Sequence, residues 1–344
     1  MVQHTADFES RLASIGKDQR NVGPFSDQSF PHQSFPRDGL VAKSRIAYQT
    51  TPLAIEEIRP GVFVFRGAGG TVTAVSASHG SAVIDTGFGP RVEEIRRALA
   101  GAVPHGVRWL VNTHWHFDHT DGNQTFAEAG ATIVAHANCR TRLSRDQYVP
   151  SLEWRIPASP RMAWPTITLD GSSDFDLGAE TLQLLPQPPS HTDGDIVVYM
   201  SSADVLVTGD LFTNGSYPVI DESSEGSLRG MIKAIECLLP LVKVNTVVVP
   251  GHGPIANRDA LADFLDMLHA IEDRILGLID AKLSVPEIVA ATPTVEFDAA
   301  WGRGYVTGEY FTRMILAGLG ADKKPAGREP VSSERPEGKK EGYK

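Results

Sequence analysis

Short runs of apolar residues divide the first half of the chain into predictable elements. Three of them, Gly61–Phe65, Thr71–Val75 and Ser81–Asp85, are rich in Val, Phe or Ile and are bounded by glycines or turn residues. Such runs are typical of β-strands. The stretch Arg91–Ala100 instead repeats its apolar residues at helical spacing. The pattern predicts several strands followed by a helix.

The rest of the chain repeats these two patterns. Further strands are predicted at Val107–Asn112, Ala131–Ala135, Thr181–Leu185, Asp195–Met200, Asp204–Thr208 and Thr246–Val249. Further helices are predicted at Thr120–Ala129, Leu228–Leu239, Asp259–Ile279 and Thr307–Leu319. Two halves that each contain strands and helices predict an α/β (α+β) fold, with helices packed outside two central sheets.

The two ends differ from this patterned region in composition. Residues 1–50 are dominated by Asn, Gln, Ser, Pro and Asp, and residues 322–344 by Lys, Glu, Gly, Pro and Ser. Such compositions bury little apolar surface. We therefore expect a loosely ordered N-terminal extension over residues 1–50, a catalytic domain with C-terminal helices over residues 51–321, and a disordered tail over residues 322–344.

The charge balance narrows the class of partner. The 344 residues carry 32 Lys and Arg against 42 Asp and Glu, a net charge of −10. This acidic balance argues against nucleic-acid binding, which usually requires a basic surface. The N-terminus lacks the apolar core of a signal peptide, and no apolar run is long enough to span a bilayer. We expect a cytoplasmic protein that acts on a small molecule, not on a membrane, and a homo-oligomer is compatible with the sequence.

One segment concentrates the candidate chemistry. Directly after the strand Val107–Asn112, four residues of metal-ligating type fall within six positions: His114, His116, Asp118 and His119. Imidazole and carboxylate together suit zinc and similar metals. If the strand geometry continues, His114 and His116 point to the same side. The segment is therefore interpreted as a metal-binding motif.

Three further candidate ligands lie beside predicted strand ends. His191 precedes the strand Asp195–Met200, Asp210 follows the strand Asp204–Thr208, and His252 follows the strand Thr246–Val249. Loops at the ends of rigid strands commonly carry functional side chains. Turn chemistry would explain each residue singly, but their order after the four-ligand motif favours a common metal site.

This order of residues resembles the metallo-β-lactamase superfamily, and the resemblance runs from about Val62 to His252. It implies an αββα sandwich of two mixed sheets flanked by helices, with the site at one sheet edge. Asp85, in the turn Ile84–Gly87, matches the family's first motif and is expected to steady the metal loop from behind the ligands.

The resemblance also implies a ligand set and a mechanism. It places a first metal on His114, His116 and His191, a second on Asp118, His119 and His252, and Asp210 between both. Two Zn²⁺ ions are expected, with iron or manganese as the alternatives. The two metals lower the pKa of a bridging water, so that a metal-bridged hydroxide attacks a carbonyl carbon. Asp118 is the catalytic carboxylate, which accepts a proton and later passes it to the leaving group.

Two departures bear on the substrate. Asp210 stands where true zinc β-lactamases mostly have Cys or Ser, and this Asp is the pattern of glyoxalase II-like and lactonase-type members. Thr213 stands where the commonest β-lactamase subclass has a lysine for the drug carboxylate. We expect a hydrolase of a small-molecule ester, lactone, thioester or amide. The alternatives are β-lactamase activity, for which Arg155 or Arg161 would have to supply the cation, and a mono-iron oxidoreductase similar to persulfide dioxygenases.

Aromatic residues beside the motifs are the candidates for a substrate pocket. Phe88, Trp115, Phe212 and Tyr217 are expected to line it. Trp154 and Trp164 lie in the Pro-punctuated stretch Glu153–Pro165, which is a candidate lid. A pocket of this kind is usually mostly apolar, with a few polar groups.

Overall fold

Two β-sheets face each other and carry helices on their outer faces in the computed structural model, which describes residues 39–319. The first sheet has seven strands in the order β1-β2-β3-β4-β5-β6-β9. Their bounds are β1 Ala54–Arg59, β2 Val62–Arg66, β3 Val72–Val75, β4 Ser81–Ile84, β5 Val107–Val111, β6 Thr132–His136 and β9 Ile167–Leu169. The first four strands pair antiparallel, and β4, β5, β6 and β9 pair parallel.

The second sheet has five strands in the order β10-β11-β12-β13-β14. Their bounds are β10 Ser173–Asp176, β11 Thr181–Pro186, β12 Ile196–Met200, β13 Val205–Thr213 and β14 Val247–His252. Only the last pair, β13 with β14, is parallel. A small separate hairpin joins β7 Gln147–Val149 to β8 Trp154–Ile156.

The helices lie outside the sheets or connect their strands. Their bounds are α1 Leu40–Thr50, α2 Val92–Ala102, α3 Phe117–Thr120, α4 Asn123–Glu128, α5 Ala137–Leu143, α6 Leu228–Leu238, α7 Arg258–Asp280, α8 Val285–Ala290, α9 Asp298–Trp301 and α10 Gly308–Gly318. Among residues 39–319, no helix has the length and apolarity needed to cross a membrane.

Alternation along the strands builds three stacked cores. In β2, Val62 and Val64 face the second sheet, whereas Phe63 and Phe65 face α2. Strands buried on both faces read as continuous apolar runs, which is why β2 carries no polar residue until Arg66. The third core packs the second sheet against α6, α7 and α10. The layers confirm the expected αββα sandwich.

The helix α1 corrects the expectation that all of residues 1–50 is loosely ordered. Val41 and Ala42 are buried, and the carbonyls of Tyr48 and Thr51 accept hydrogen bonds from Arg91 at 2.6 and 2.9 Å. A cation at a helix C-terminus satisfies otherwise unpaired carbonyls. Composition did not reveal this helix because tertiary contacts hold it. The expectations for residues 1–38 and 320–344 lie outside the described residues.

Two other predicted elements differ in extent. The helix predicted over Thr120–Ala129 is split into α3 and α4 at Gly122, whose amide binds the Thr86 hydroxyl at 3.0 Å. The strand predicted to end at Thr208 continues to Thr213, because β13 pairs with β14 through register shifts around Gly209. These shifts place the predicted metal ligands Asp210 and His252 inside paired strands.

The third core, which packs the second sheet against α6, α7 and α10, predicts how truncation of one buried side chain changes stability. Phe264 on α7 is fully buried, with its ring centroid 5.0 Å from that of Phe212. Phe264→Ala should therefore lower the free energy of unfolding by about 3–5 kcal/mol, measured by urea denaturation. Ile46→Ala, at a side chain that is 61% exposed, is the control and should change stability by less than about 0.5 kcal/mol. Equal losses in both variants would contradict this assignment of the core.

Candidate metal centre and active site

The candidate ligands come from both sheets and meet at one edge of the sandwich. His114 and His116 follow β5, and Asp118 and His119 lie on α3. The remaining ligands come from the second sheet: His191 from the loop before β12, Asp210 from β13 and His252 from the end of β14. Residues separated by more than 130 positions are thus brought together, as the sequence motifs predicted.

Three imidazoles form a first group of ligand atoms. One ring nitrogen from each of His114, His116 and His191 lies within 4.8 Å of the others. The shortest separation joins His191 Nε2 to His116 Nδ1, at 2.8 Å. All three rings are buried. A set of three histidines is a common way to hold zinc in proteins.

A second group combines a carboxylate with two imidazoles. His252 Nε2 lies 3.2 Å from Asp118 Oδ2, and His119 Nε2 lies 3.9 Å from the same oxygen. The two ring nitrogens are 3.4 Å apart. Ligand atoms of Asp118, His119 and His252 therefore also fall within 4.8 Å of one another.

Asp210 lies between the two groups. Its Oδ1 is 3.1 Å from His119 Nε2, while its Oδ2 is 3.4 Å from His252 Nε2 and 3.7 Å from His191 Nε2. A single carboxylate thus contacts histidines of both groups. This is the geometry that a bridging ligand requires.

Two orphaned polar atoms test whether the residues fit a metal. Within residues 39–319, His114 Nε2 and Asp210 Oδ1 are buried without a hydrogen-bond partner. Although Asp210 Oδ1 is close to His119 Nε2, the contact lacks hydrogen-bond geometry. Buried polar atoms normally have partners. Two of the four unpartnered atoms among the described residues lie in this cluster, and they are a nitrogen and an oxygen that metals bind. The site fits a divalent cation.

The electrostatics of the two groups differ. Burial lowers the pKa of His114 and His191, with neighbouring histidines adding to the effect, and His191 falls to about 4. Burial alone would also lower the pKa of His252, but the charges of Asp210 and Asp118 raise it to about 10. The same carboxylates, together with Asp85, raise the pKa of His119. At neutral pH His119 and His252 of the second group are therefore protonated in the metal-free protein, and a cation that binds there must displace these protons.

Asp85 supports the loop behind the ligands. Its Oδ1 accepts a hydrogen bond from the Thr113 amide at 2.8 Å, and its Oδ2 contacts the Thr113 hydroxyl and His119 Nδ1, both at 2.7 Å. Asp85 adopts φ +60°, a left-handed conformation that non-glycine residues rarely take. Asp85 therefore links the His119 ring to the backbone of the loop after β5.

Asp221 is a supporting residue that the sequence did not reveal. Its Oδ2 lies 3.1 Å from His116 Nε2, so that Nδ1 of the same ring faces His191. Burial would raise the pKa of Asp221, but the hydrogen bond and charge of His116 hold it at about 2. A carboxylate behind a metal-binding histidine fixes the ring orientation. No local motif marks this residue in the sequence.

Two glycines allow the backbone to approach the ligands. A Cβ at Gly70 would lie 2.2 Å from the His119 ring, and one at Gly251 would lie 2.0 Å from Asp210 Oδ1. Real Cβ atoms do not approach other atoms this closely. These positions therefore require glycine for steric reasons, and the candidate site is packed from behind by backbone.

The ligand side chains form the floor of a cavity of about 210 Å³. Its apolar walls come from four regions: Leu40 and Val41 of α1, Phe117 of α3, Leu152 and Trp154, and Val219 and Val306. Hydroxyl groups are supplied by Ser44, Tyr48, Thr213, Ser216, Tyr217 and Tyr305. No Lys or Arg is among the lining residues of the described chain.

Three of the four aromatic residues that were expected to line a substrate pocket lie elsewhere in the structure. Phe88, Trp115 and Phe212 do not line the cavity but are buried in the cores. Aromatic side chains beside a motif fill the apolar interior when they face away from the ligands. Trp115, for example, alternates away from His114 and His116, and its Nε1 donates to the Ser224 hydroxyl at 3.0 Å.

The fourth expected aromatic residue, Tyr217, does line the cavity. Its hydroxyl contacts Asp298 Oδ1 at 2.9 Å, and its ring stacks on Phe311. Of the candidate lid, Trp154 lines the cavity, whereas Trp164 does not. Arg155 and Arg161 are exposed and outside the lining, so neither supplies the cation that a β-lactam carboxylate would need there.

The comparison with known families agrees with this geometry. A family described as the metallo-beta-lactamase superfamily matches residues 66–256, which is more than half of the chain. The matched segment includes all seven candidate ligands. The chain belongs to the metallo-β-lactamase superfamily. This confirms the resemblance carried by the sequence motifs.

Relatives within the superfamily include named hydrolases. An acyl-coenzyme A thioesterase, MBLAC2, from Gallus gallus is 27% identical over 201 residues, covering 52% of this chain and 70% of the relative. A hydroxyacylglutathione hydrolase from Anaeromyxobacter dehalogenans is 33% identical over 116 residues, covering 33% of this chain and 36% of the relative. A solved metallo-beta-lactamase from Pontibacter korlensis aligns with a TM-score of 0.52 at 22% identity, covering 63% of this chain and 99% of that one. The structural likeness shows the shared fold.

The histidine pKa values differ between the two ligand groups, which predicts that metal affinity at the second group depends more strongly on pH. Because the pKa of His252 is about 10 in the metal-free protein, a metal must displace its proton at neutral pH. Apparent affinity at the group Asp118, His119 and His252 should fall by about tenfold per pH unit for each proton displaced, hence by about 10–100-fold for each pH unit lowered, because the pKa of His119 is raised as well. The histidines of low pKa in the first group should bind with a shallower dependence. Calorimetric Zn²⁺ titrations between pH 6 and 8, in buffers of different protonation enthalpy, measure both.

Two equivalent, pH-independent binding steps would contradict this account of the site. Proton uptake on metal binding would contradict it as well, because it has the opposite sign. His269→Ala is a suitable control, since this histidine is half-buried, lies outside the cavity lining and pairs with Glu236 at 3.2 Å.

Proposed function

We propose that the chain is a zinc-dependent hydrolase of a small-molecule thioester, ester or lactone with an apolar acyl group. One observation carries the proposal: seven metal-ligand side chains converge, and five of them line the floor of a cavity with mostly apolar walls. The family membership and the relatives named as hydrolases support it. The cytoplasmic location expected from the sequence is part of the same proposal.

The proposed ligands are divided between two ions. His114, His116 and His191 would hold the first, Asp118, His119 and His252 would hold the second, and Asp210 would be shared by both. Zinc suits this set because histidine and carboxylate are its usual catalytic ligands, and iron or manganese are the alternatives. When bound, two such ions supply a nucleophile from water at neutral pH and polarise a carbonyl group.

The side chains carry out the remaining steps. Asp118 lines the cavity, where its carboxylate can accept a proton from the attacking water and return it to the leaving sulfur or oxygen. Asp221 and Asp85 hold the rings of His116 and His119 in the orientations that coordination needs. The apolar walls hold the acyl group and exclude bulk water from the reacting carbonyl.

The lining of the cavity also favours acyl thioesters, esters and lactones over β-lactams. A β-lactam carboxylate needs a cation or a set of donors, and the described lining contains no Lys or Arg. Thr213 is a buried lining residue, and its hydroxyl donates to the Ser216 carbonyl at 2.8 Å. The names of two relatives specify acyl-coenzyme A and hydroxyacylglutathione as substrates, which favours acyl carriers of this type.

The substrate class predicts an order of rates. With zinc-loaded enzyme, kcat/KM should be higher for acyl thioesters, aryl esters or lactones than for penicillins and cephalosporins. A β-lactam carries its carboxylate on the ring system that reacts and must hold it in a cavity whose described lining has no Lys or Arg, whereas the acyl group of the other substrates is uncharged. The measurement is a side-by-side comparison on chromogenic substrates. Cephalosporin turnover that exceeds every thioester, ester and lactone would show that the proposed class is wrong.

The bridging position predicts the effect of a charge deletion. Asp210→Asn keeps the size of the side chain but removes a negative charge from between two cations. We expect activity to fall by about 10²-fold or more and one metal to be lost more readily on dialysis. Asp174→Asn makes the same chemical change at an exposed position on β10 and should leave both unchanged. Wild-type rates in Asp210→Asn would mean that this carboxylate holds no metal that the reaction needs.

A further inference from the structure

The helix α1 lies outside the segment that matches the superfamily, yet it forms part of the cavity wall. The family match covers residues 66–256, whereas Leu40, Val41, Ser44 and Tyr48 of α1 line the cavity. Val41, Ser44 and Tyr48 are spaced three and four positions apart, which places them on one face of the helix. The cavity thus has a wall that the family motifs do not specify.

The cavity has an enclosed end beside this helix and an open mouth. Val41 and Trp154 both line it, are buried, and belong to the same apolar cluster as Phe117. Gly304 and Tyr305 also line the cavity but are exposed. Buried apolar lining suits an uncharged acyl group, and exposed lining marks the side from which a larger polar group reaches solvent.

The size of the cavity limits what the enclosed end can hold. Its volume is about 210 Å³, which is below the range of roughly 300–1,000 Å³ that is usual for pockets holding drug-sized ligands. Since one water-sized group occupies about 30 Å³, the cavity accommodates about seven such groups. An acyl group of about six carbons fits, whereas the carrier part of an acyl thioester must extend through the mouth.

Ser44 is the small residue in the middle of the α1 wall. Its hydroxyl donates to the Val41 carbonyl at 2.9 Å, so this donor is used within the helix. One turn further along, the ring of Tyr48 lies nearly parallel to that of His252, with centroids 6.0 Å apart. The wall therefore begins beside a candidate ligand, and the small side chain at Ser44 leaves space for an acyl group that extends from there.

Contacts that do not involve the cavity hold α1 in place. Arg91 donates to the carbonyl of Tyr48 at 2.6 Å and to that of Thr51 at 2.9 Å. The guanidinium of Arg45 lies 4.7 Å from the centre of the Phe88 ring. Because the wall is fixed to the sandwich in this way, it cannot withdraw freely from a longer acyl group.

We propose that α1 is the acyl-binding wall of the active site, and that Leu40 and Ser44 determine the length of acyl group that the enzyme accepts. The preferred acyl group has about six carbons or fewer and lies along α1, with the leaving group at the mouth. This inference rests on the proposed function, because it specifies which acyl groups the same site hydrolyses. One methylene more or less in an apolar pocket changes kcat/KM by about 10–200-fold.

The test changes the size of the enclosed end in both directions. Ser44→Leu fills it and Leu40→Ala enlarges it. Lys43→Leu, at an exposed position of α1 outside the cavity lining, is the control. The measurement is kcat/KM of the zinc-loaded proteins for p-nitrophenyl acetate, hexanoate and octanoate. We expect the hexanoate-to-acetate ratio to fall about 10-fold or more in Ser44→Leu, and the octanoate-to-hexanoate ratio to rise about 10-fold in Leu40→Ala. Lys43→Leu should keep the wild-type ratios.

Binding of uncharged acyl amides gives a second measurement that needs no hydrolysis. Ligand-observed NMR of hexanamide and octanamide should show weaker hexanamide binding in Ser44→Leu and relatively stronger octanamide binding in Leu40→Ala. Where Ser44→Leu fails to fold, Leu40→Ala decides the test by the same ratios.

The readouts separate this inference from the proposed function. If the wild type hydrolyses the esters and every variant keeps the wild-type ratios, the inference about α1 is wrong and the function stands. An equal loss on all esters in Ser44→Leu, with no change in ratio, would show a merely structural role and also overturn it. If the wild type hydrolyses none of the esters, the proposed function fails, and amide affinities that do not differ among the variants would overturn the inference as well.

Discussion

The structure depends on gathering imidazoles and carboxylates in a buried space at one edge of the sandwich. Burying charge without compensation is costly, and the two groups solve this differently. The first group consists of histidines, two of which burial keeps neutral at physiological pH. In the second, the carboxylates Asp118 and Asp210 raise the pKa of His119 and His252. Positive charge is therefore required between these residues, and a divalent cation supplies it more completely than protons do.

That requirement explains much of the surrounding architecture. The parallel pair β13 and β14 shifts register near Gly209, which brings Asp210 and His252 toward the loop after β5. Asp85 takes a left-handed backbone conformation to reach Thr113 and His119. Gly70 and Gly251 leave room for ligand side chains that any Cβ would displace. Each feature is locally unfavourable or restrictive, and each orients a candidate ligand.

The sequence predicted the parts of this arrangement that local patterns encode. Nine of the strands and the helices α2, α6, α7 and α10 follow from periodicity, whereas the three- and four-residue strands β7 to β10 were not predicted. The candidate ligands follow from one dense motif, His114 to His119, and from the order of His191, Asp210 and His252 after it. Asp221, Tyr48 and the wall formed by α1 carry no local signal, because only tertiary folding brings them to the ligands. Phe88, Trp115 and Phe212 show the converse, since residues next to a motif can point into the core. Sequence patterns therefore identified residues that the fold brings together more reliably than they identified residues that line the cavity.

The central claim is that the two ligand groups hold two metal ions with Asp210 between them. It is tested most directly by anomalous X-ray diffraction at the zinc absorption edge, on crystals of zinc-loaded protein. We predict two peaks per chain, one among His114, His116 and His191 and one among Asp118, His119 and His252, each within bonding distance of Asp210. A single peak at either group, or zinc bound only outside this cavity, would contradict the account.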